Sequence, residues 1–180
     1  MKVKQLEKAC RLMLDALGED VTREGLRDTP RRFAEAWIEL LSPPDGKNLE
    51  RVFSSAELDQ LVVVGPVRVW SVCEHHLLPF YADVYMGYLA SHRVLGLSKF
   101  ARHAQRHARA LQLQERLTGQ IADAICKATK SQDVAVFAKG QHLCMAMRGA
   151  RSDALMTTSV MRGKFRDTPA LRSEFLSLCR

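Results

Sequence analysis

Leu61-Val62-Val63-Val64-Gly65-Pro66-Val67-Arg68-Val69-Trp70-Ser71-Val72 is the stretch on which the fold turns. Its valines are branched at Cβ and stiff at χ1, which favours extended backbone over helix. Gly65-Pro66 interrupts the run, so it reads as two strands, 61–64 and 67–72. The next alternating run, 80–89, reads as a third strand, and no helix-length segment precedes it. Strands joined by short connections pair antiparallel, because a parallel pair needs a crossover of roughly a dozen residues or more.

Toward the C-terminus, Ser98 opens a helix to about Leu111, and Gln112 or Leu113 starts another to about Ala128. Strands are expected at 134–138, 142–148 and 155–162, and Thr168-Pro169 is a cap followed by proline for a last helix ending near Leu178. Toward the N-terminus, Leu6, Cys10, Leu12, Met13 and Leu17 recur at helical spacing before Gly18. A second helix has Thr29 as cap, Pro30 in its first turn, and Phe33, Ala36, Trp37, Leu40 and Leu41 as its apolar stripe. Positions 43–49 read as a linker. The order of elements predicts an α+β fold: an antiparallel sheet with two consecutive helices packed on it, plus a helical N-terminal part. The expected division is a helical segment over 1–50 and a second, larger domain over 51–180.

The chain has 180 residues, 47% hydrophobic and 26% charged, within the range of globular proteins. No apolar run is long enough to span a bilayer, and charge occupies the first eight residues where a signal peptide needs apolar ones. A cytoplasmic protein that engages no membrane is expected. Five cysteines in irregular spacing argue against a disulfide framework and leave thiols for metal or catalysis. A net charge of +7 suits an anionic partner. That partner could be nucleic acid, a nucleotide or an acidic protein, and the interleaved aromatic and basic residues of a nucleic-acid stacking surface are missing.

The densest chemistry is Cys73-Glu74-His75-His76, directly after a strand. Cys73 and His76 stand three apart, so one turn can bring both onto a single ion, with Cys144 as the third donor. On a strand, His142, Cys144, Ala146 and Arg148 would share one face. Two sulfurs and one imidazole leave zinc's fourth position for water, as in catalytic rather than structural sites. His75 and His142 are then the imidazoles available for proton transfer. Spacing alone leaves metal ligation and ordinary packing of these residues both open. His103 and His107, four apart without the glutamate of a His-Glu-x-x-His motif, read as a solvated helix face.

Ser98-Lys99-Phe100-Ala101-Arg102 begins a helix with a capping serine and two cations where the dipole disfavours positive charge, which suits a bound polyanion. Arg148 and Arg32 could add bidentate contacts to phosphate. Glu115, with Gln114 beside it, offers a carboxylate for paired N–H donors such as those of guanine.

With these residues together, the chain resembles the GTP cyclohydrolase I family from about Leu26 to Arg180. The matching runs are Asp28-Thr29-Pro30-x-Arg32, Cys73-Glu74-His75-His76-Leu77-Leu78-Pro79-Phe80, Val94-Leu95-Gly96-Leu97-Ser98-Lys99, Gln112-Leu113-Gln114-Glu115-Arg116-Leu117-Thr118 and His142-x-Cys144-Met145-x-Met147-Arg148-Gly149. The resemblance implies that Cys73, His76 and Cys144 hold zinc and that His75 and His142 are catalytic. It implies that Glu115 and Gln114 recognise guanine, and that Ser98, Lys99, Arg102, Arg148 and Arg32 surround the triphosphate and ribose. It further implies the tunnelling fold, sites at subunit interfaces and a homodecamer. The expected reaction opens the guanine imidazole ring of GTP, releases formate and gives 7,8-dihydroneopterin triphosphate. A zinc-stabilised interaction protein and a nitrile reductase of the same superfamily are the competing readings; the paired Cys-x-x-His with a distant Cys favours the hydrolase.

Overall fold

A computed structural model describes residues 1–45, 49, 51–54, 60–90 and 93–179. The middle of the expected linker, 46–48, and the expected boundary residue 50 lie outside the described residues. The chain divides into two compact units, Met1–Ser42 and Pro43–Arg180.

In the first unit, α1 (Val3–Ala16) packs against α2 (Thr29–Leu41). Of the expected stripes only Cys10 is buried, together with Leu14 on α1 and Pro30 and Ala34 on α2. Leu12, Met13, Leu17 and Ala36 are exposed, and Phe33, Trp37, Leu40 and Leu41 are partly buried. Pro30 stands in the first turn of α2, where a missing N–H costs nothing. Thr29 does not cap: Asp28 takes that position, and the Thr29 hydroxyl donates back to Gly25 O at 3.4 Å.

The second unit carries the sheet. Its strands are β1 (Val52–Ser54), β2 (Gln60–Cys73), β3 (Pro79–Ala90), β4 (Arg93–Leu95), β5 (Leu111–Gln112), β6 (Val134–His142) and β7 (Met156–Met161). The main sheet runs β5-β2-β3-β6-β7, antiparallel throughout except for the short parallel pair β2–β5, while β1 and β4 form a separate two-stranded ribbon. The two strands expected at 61–64 and 67–72 are one strand. Gly65-Pro66 shifts the register between Val64 and Val67 without ending the pairing with β3, as a bulge does.

Strict alternation along β3 decides the layers. Phe80, Ala82, Val84, Met86 and Tyr88 are fully buried on one face with Phe100 and Ala104 of α3 (Leu97–Ala108) and Leu117, Ile121 and Ile125 of α4 (Gln114–Thr129). Tyr85 and Leu89 face the other way. There they meet Phe165 of α6 (Lys164–Asp167), and Phe175 and Leu171 of α7 (Pro169–Leu178). Phe175 lies against Gly87, where an added Cβ would come within 2.7 Å of its ring, so only glycine lets α7 approach this closely. Burying one such large apolar side chain stabilises by about 1.5–3 kcal/mol, and the five β3 residues on the helix face are the centre of the core. The α+β architecture, with an antiparallel sheet carrying two consecutive helices, is as expected. Among the described residues no helix is long and apolar enough to cross a membrane.

One expected strand is different in kind. Positions 142–148 do not continue as a strand: β6 ends at His142, and α5 (Leu143–Ala146) follows as one helical turn closed by Met147 N–H to Leu143 O at 3.0 Å. The shared-face argument for His142, Cys144, Ala146 and Arg148 therefore fails.

Candidate active site

The turn after β2 is built by its own backbone. Leu77 N–H donates to Cys73 O at 2.9 Å, a one-turn helical bond, and Cys73 N–H donates to Leu78 O at 2.9 Å, closing the chain back into β3. Leu77 takes the left-handed conformation, φ 53°, to make that reversal. Residues three apart on such a turn face the same way, and Cys73 Sγ lies 3.8 Å from His76 Nδ1. From the other side of β3, α5 swings Cys144 inward. One ligating atom each from Cys73, His76 and Cys144 falls within 4.8 Å of the others.

These separations can be tested against a metal. Zn–S and Zn–N bonds of about 2.3 and 2.0 Å at tetrahedral angles put sulfur and nitrogen roughly 3.5 Å apart. The observed 3.8 Å needs only a small inward movement. Burial, and then the neighbouring Cys73 sulfur, push the Cys144 thiol above its ordinary value, while the charge of Arg148 works the other way. A thiol whose ionisation is opposed by burial and a neighbouring sulfur is what a divalent cation would relieve, so the donor set fits zinc.

A cleft of about 430 Å³ opens beside this cluster, lined among others by His75, Gln112, Gln114, Glu115, His142 and Met156. The two expected catalytic histidines and the expected guanine carboxylate thus face one space. His142 is half-buried, and its ring stacks on Phe80 with centroids 4.4 Å apart and planes 9° apart. That contact follows from the register, which pairs Phe80 directly with His142. Burial holds the His142 imidazole below its ordinary value, and the Glu115 carboxylate only partly opposes this. Its Nε2 lies 3.0 Å from Gln114 Oε1. Gln114 is wholly buried, whereas Glu115 beside it is exposed to the cleft.

Arg116 braces the metal-end turn. Its guanidinium pairs with Glu74, donates to Gln112 Oε1 at 2.9 Å and to Leu111 O at 2.8 Å. The hydrogen bond from Arg116 holds the Glu74 carboxyl below its ordinary value. Sequence reasoning assigns a role to neither Phe80 nor Arg116. Their roles depend on partners 62 and 42 positions away, and no local pattern signals them.

The anion-binding candidates on α3 lie away from this cleft. Helix α3 begins at Leu97 with Gly96 as its cap, so Ser98 stands inside the first turn and does not cap it. Lys99 is buried rather than displayed on an exposed basic turn, and Arg102 is exposed in the second turn. The far end of α3 is the end near the metal cluster, since Ser71 Oγ donates to Ala108 O at 2.7 Å. At 1.5 Å per residue, Ser98 is about 15 Å along the helix from there. Arg148 is exposed just after α5, close enough to influence Cys144. Arg32 belongs to the first unit, on α2, with its guanidinium 3.8 Å from Asp28.

His103 and His107 are not a solvated face. His103 is buried, its Nε2 3.2 Å from Leu49 O, and both line a second cleft of about 430 Å³ between α3 and α4. The amphipathic reading fails because α4 and residue 49 cover that side of α3, which no property of α3 itself announces.

Comparison with known proteins agrees with this geometry. The family profile described as GTP cyclohydrolase I matches residues 6–180. A protein named GTP cyclohydrolase 1 from Hyperthermus butylicus is 48% identical over 170 residues, covering 94% of this chain and 87% of that one. One from Deinococcus radiodurans is 45% identical, covering 96% and 82%. GTP cyclohydrolase 1 2 from Pseudomonas syringae pv. tomato is 46% identical, covering 97% and 99%. Among solved structures, the archaeosine synthase QueF-Like in its apo form superposes with a TM-score of 0.51 at 18% identity, covering 59% of this chain and 97% of that one, a likeness of fold alone. A profile match over nearly the whole length, joined to relatives this similar end to end, establishes that the chain belongs to the GTP cyclohydrolase I family.

Proposed function

We propose that the protein acts as a GTP cyclohydrolase I, opening the guanine imidazole ring of GTP by hydrolysis, releasing C8 as formate and yielding 7,8-dihydroneopterin triphosphate. The observation that carries this is the convergence of Cys73, His76 and Cys144 beside a cleft that also takes in His75, His142 and Glu115. Zinc held by the two sulfurs and His76 Nδ1 would supply a Lewis acid able to acidify water.

The remaining work falls to the chain. Glu115, exposed in the cleft at the start of α4, accepts from the guanine N1–H and exocyclic amine, and Gln114 supports that end of the site. His142 moves a proton at N7 of the base, which needs an imidazole kept out of bulk water and held in one orientation, and Phe80 supplies the stacking that does so. His75, exposed at the turn, exchanges protons with the attacking water or the ribose.

Ser98, Lys99 and Arg102 bind the triphosphate from a second copy of the chain. Their distance along α3 from their own metal cluster supports this, as does the open outer edge of β7 among the described residues. Arg148 and Arg32 complete the phosphate and ribose contacts, and the assembly is a homo-oligomer, a decamer by analogy with the family. Thiols at Cys73 and Cys144 that must stay reduced suit the cytoplasm.

Incubating the zinc-loaded protein with GTP should release formate and leave a pterin that fluoresces after oxidation. Absence of formate from a preparation with full zinc occupancy would refute the assignment. Light scattering on the same sample reads the assembly, and an active monomer would refute the shared site.

A further inference from the structure

His142 is held by a chain of hydrogen bonds whose directions can be worked out atom by atom. Gln114 Nε2 lies 3.3 Å from Ala138 O, 3.0 Å from Met156 O and 3.2 Å from Thr158 Oγ1. Backbone carbonyls only accept, so the atom facing them must be the amide NH2 and the atom facing His142 must be Oε1. The threonines agree. Thr118 Oγ1 donates to Gln114 O at 2.7 Å, which uses its only hydrogen. In the 2.7 Å contact between Thr118 Oγ1 and Thr158 Oγ1, Thr158 is therefore the donor. Thr158 has no hydrogen left for Gln114 and can only accept, sharing the two amide hydrogens with the carbonyls. The amide cannot flip without setting its oxygen against two carbonyls, and among the described residues no buried side-chain nitrogen or oxygen lacks a partner.

With Oε1 fixed as an acceptor 3.0 Å from His142 Nε2, that ring nitrogen must carry the hydrogen. We propose that Gln114 is a positioning residue that holds His142 as its Nε2–H tautomer, leaving the ring's lone pair on Nδ1. Both amide hydrogens of Gln114 are spent inside the protein, and the residue is wholly buried. Gln114 thus acts through His142 and not on the base, which is left to Glu115. The network ties α4, β6 and β7 to one imidazole, so the orientation of His142 depends on three elements packing correctly. The identity of the bound molecule rests on the cyclohydrolase reading; the tautomer does not.

Two measurements separate these. Gln114→Met keeps the length of the side chain and removes the acceptor, and Thr158→Val removes the partner that orients the amide. Expected for Gln114→Met is a kcat for formate release lowered at least about tenfold, with KM for GTP changed by less than about twofold and zinc content unchanged. Thr158→Val should show a smaller loss in the same direction. A raised KM at unchanged kcat would mean a contact with the base and would overturn the proposal, as would no change at all.

Nitrogen NMR of the histidine-labelled wild-type protein at pH 8, with the His142 signals assigned against His142→Gln, reads the tautomer directly. A hydrogen on Nε2 is expected, and a hydrogen on Nδ1 would overturn the proposal even if Gln114→Met fails to fold. Should wild-type protein release no formate, the functional reading falls while the tautomer measurement still decides this one.

Discussion

Two clefts of equal size, each of about 430 Å³, flank helix α4, and each takes in two or more imidazoles. At the metal end, His76 faces a sulfur and His142 faces an amide oxygen. Between α3 and α4, His103 bonds a backbone carbonyl, and His107 sits with Arg106 and Lys127 lining the same space. Burial first, then the charges of His103 and Arg106, hold His107 below its ordinary value, only partly opposed by Asp123. Counting histidines would not tell these places apart. What differs is the set of neighbouring atoms: two sulfurs and a fixed acceptor in one, cations, the Asp123 carboxylate and a carbonyl in the other. Gln112 stands between them, lining the metal-end cleft while its Nε2 donates to His107 O at 2.9 Å and to Gln120 Oε1 at 2.7 Å.

The largest expected contrast comes from substituting one residue on each side. Cys144→Ser should lower zinc content and reduce formate release by at least about a thousandfold, because it removes one of the three candidate ligands. His107→Gln should leave both within about twofold, since nothing in its cleft offers a second soft donor. Metal analysis and single-substrate kinetics on the pair check this. Equal losses would make the second cleft part of the catalytic site.

A smaller effect separates recognition from chemistry inside the metal-end cleft. Glu115→Gln replaces a double acceptor with a group that presents only one, and a charged hydrogen bond is worth about 1.5–3 kcal/mol. KM for GTP should rise roughly 10- to 100-fold with zinc content unchanged. A titration of initial rate against GTP reads it, and an unchanged KM would remove Glu115 from base recognition.

The smallest effect is on stability. His107 has a folded-state value depressed below the ordinary 6.5, so the unfolded chain takes up its proton first as pH falls. The contribution is complete above about pH 6.5 and is lost as pH falls through the lower, folded value. His142 is depressed as well and adds a slope of the same sign. Denaturant unfolding between pH 7.5 and 5 should therefore show stability falling toward acid, less steeply in His107→Gln than in the wild type. An identical slope would mean that His107 is not held neutral by its cleft.

Much of the metal end and of the layering is legible in the order of residues alone. Cys73 and His76 converge because residues three apart on one turn share a side, a local property of the backbone. The layers can be read from β3, whose even-numbered positions from Phe80 to Tyr88 meet α3 and α4, because side chains alternate along any strand. Glu115 can be placed at the head of α4, and the composition excludes a disulfide scaffold.

Other features are decided only by segments meeting. Cys144 reaches the metal cluster from a helical turn, whereas the sequence argument for it rests on alternation along a strand that does not form there. The Gly65-Pro66 interruption reads as a strand end and is a bulge, because pairing with β3 resumes beyond it. His103 reads as exposed on its own helix and is covered by others. The stacking of His142 on Phe80 and its bond to Gln114 follow from the register of β3 with β6 and the seating of α4 against both. Turn geometry and side-chain alternation act over a few bonds and leave a pattern in the order of residues. Register and packing join positions tens of residues apart, and they exist only once the chain has folded around its core.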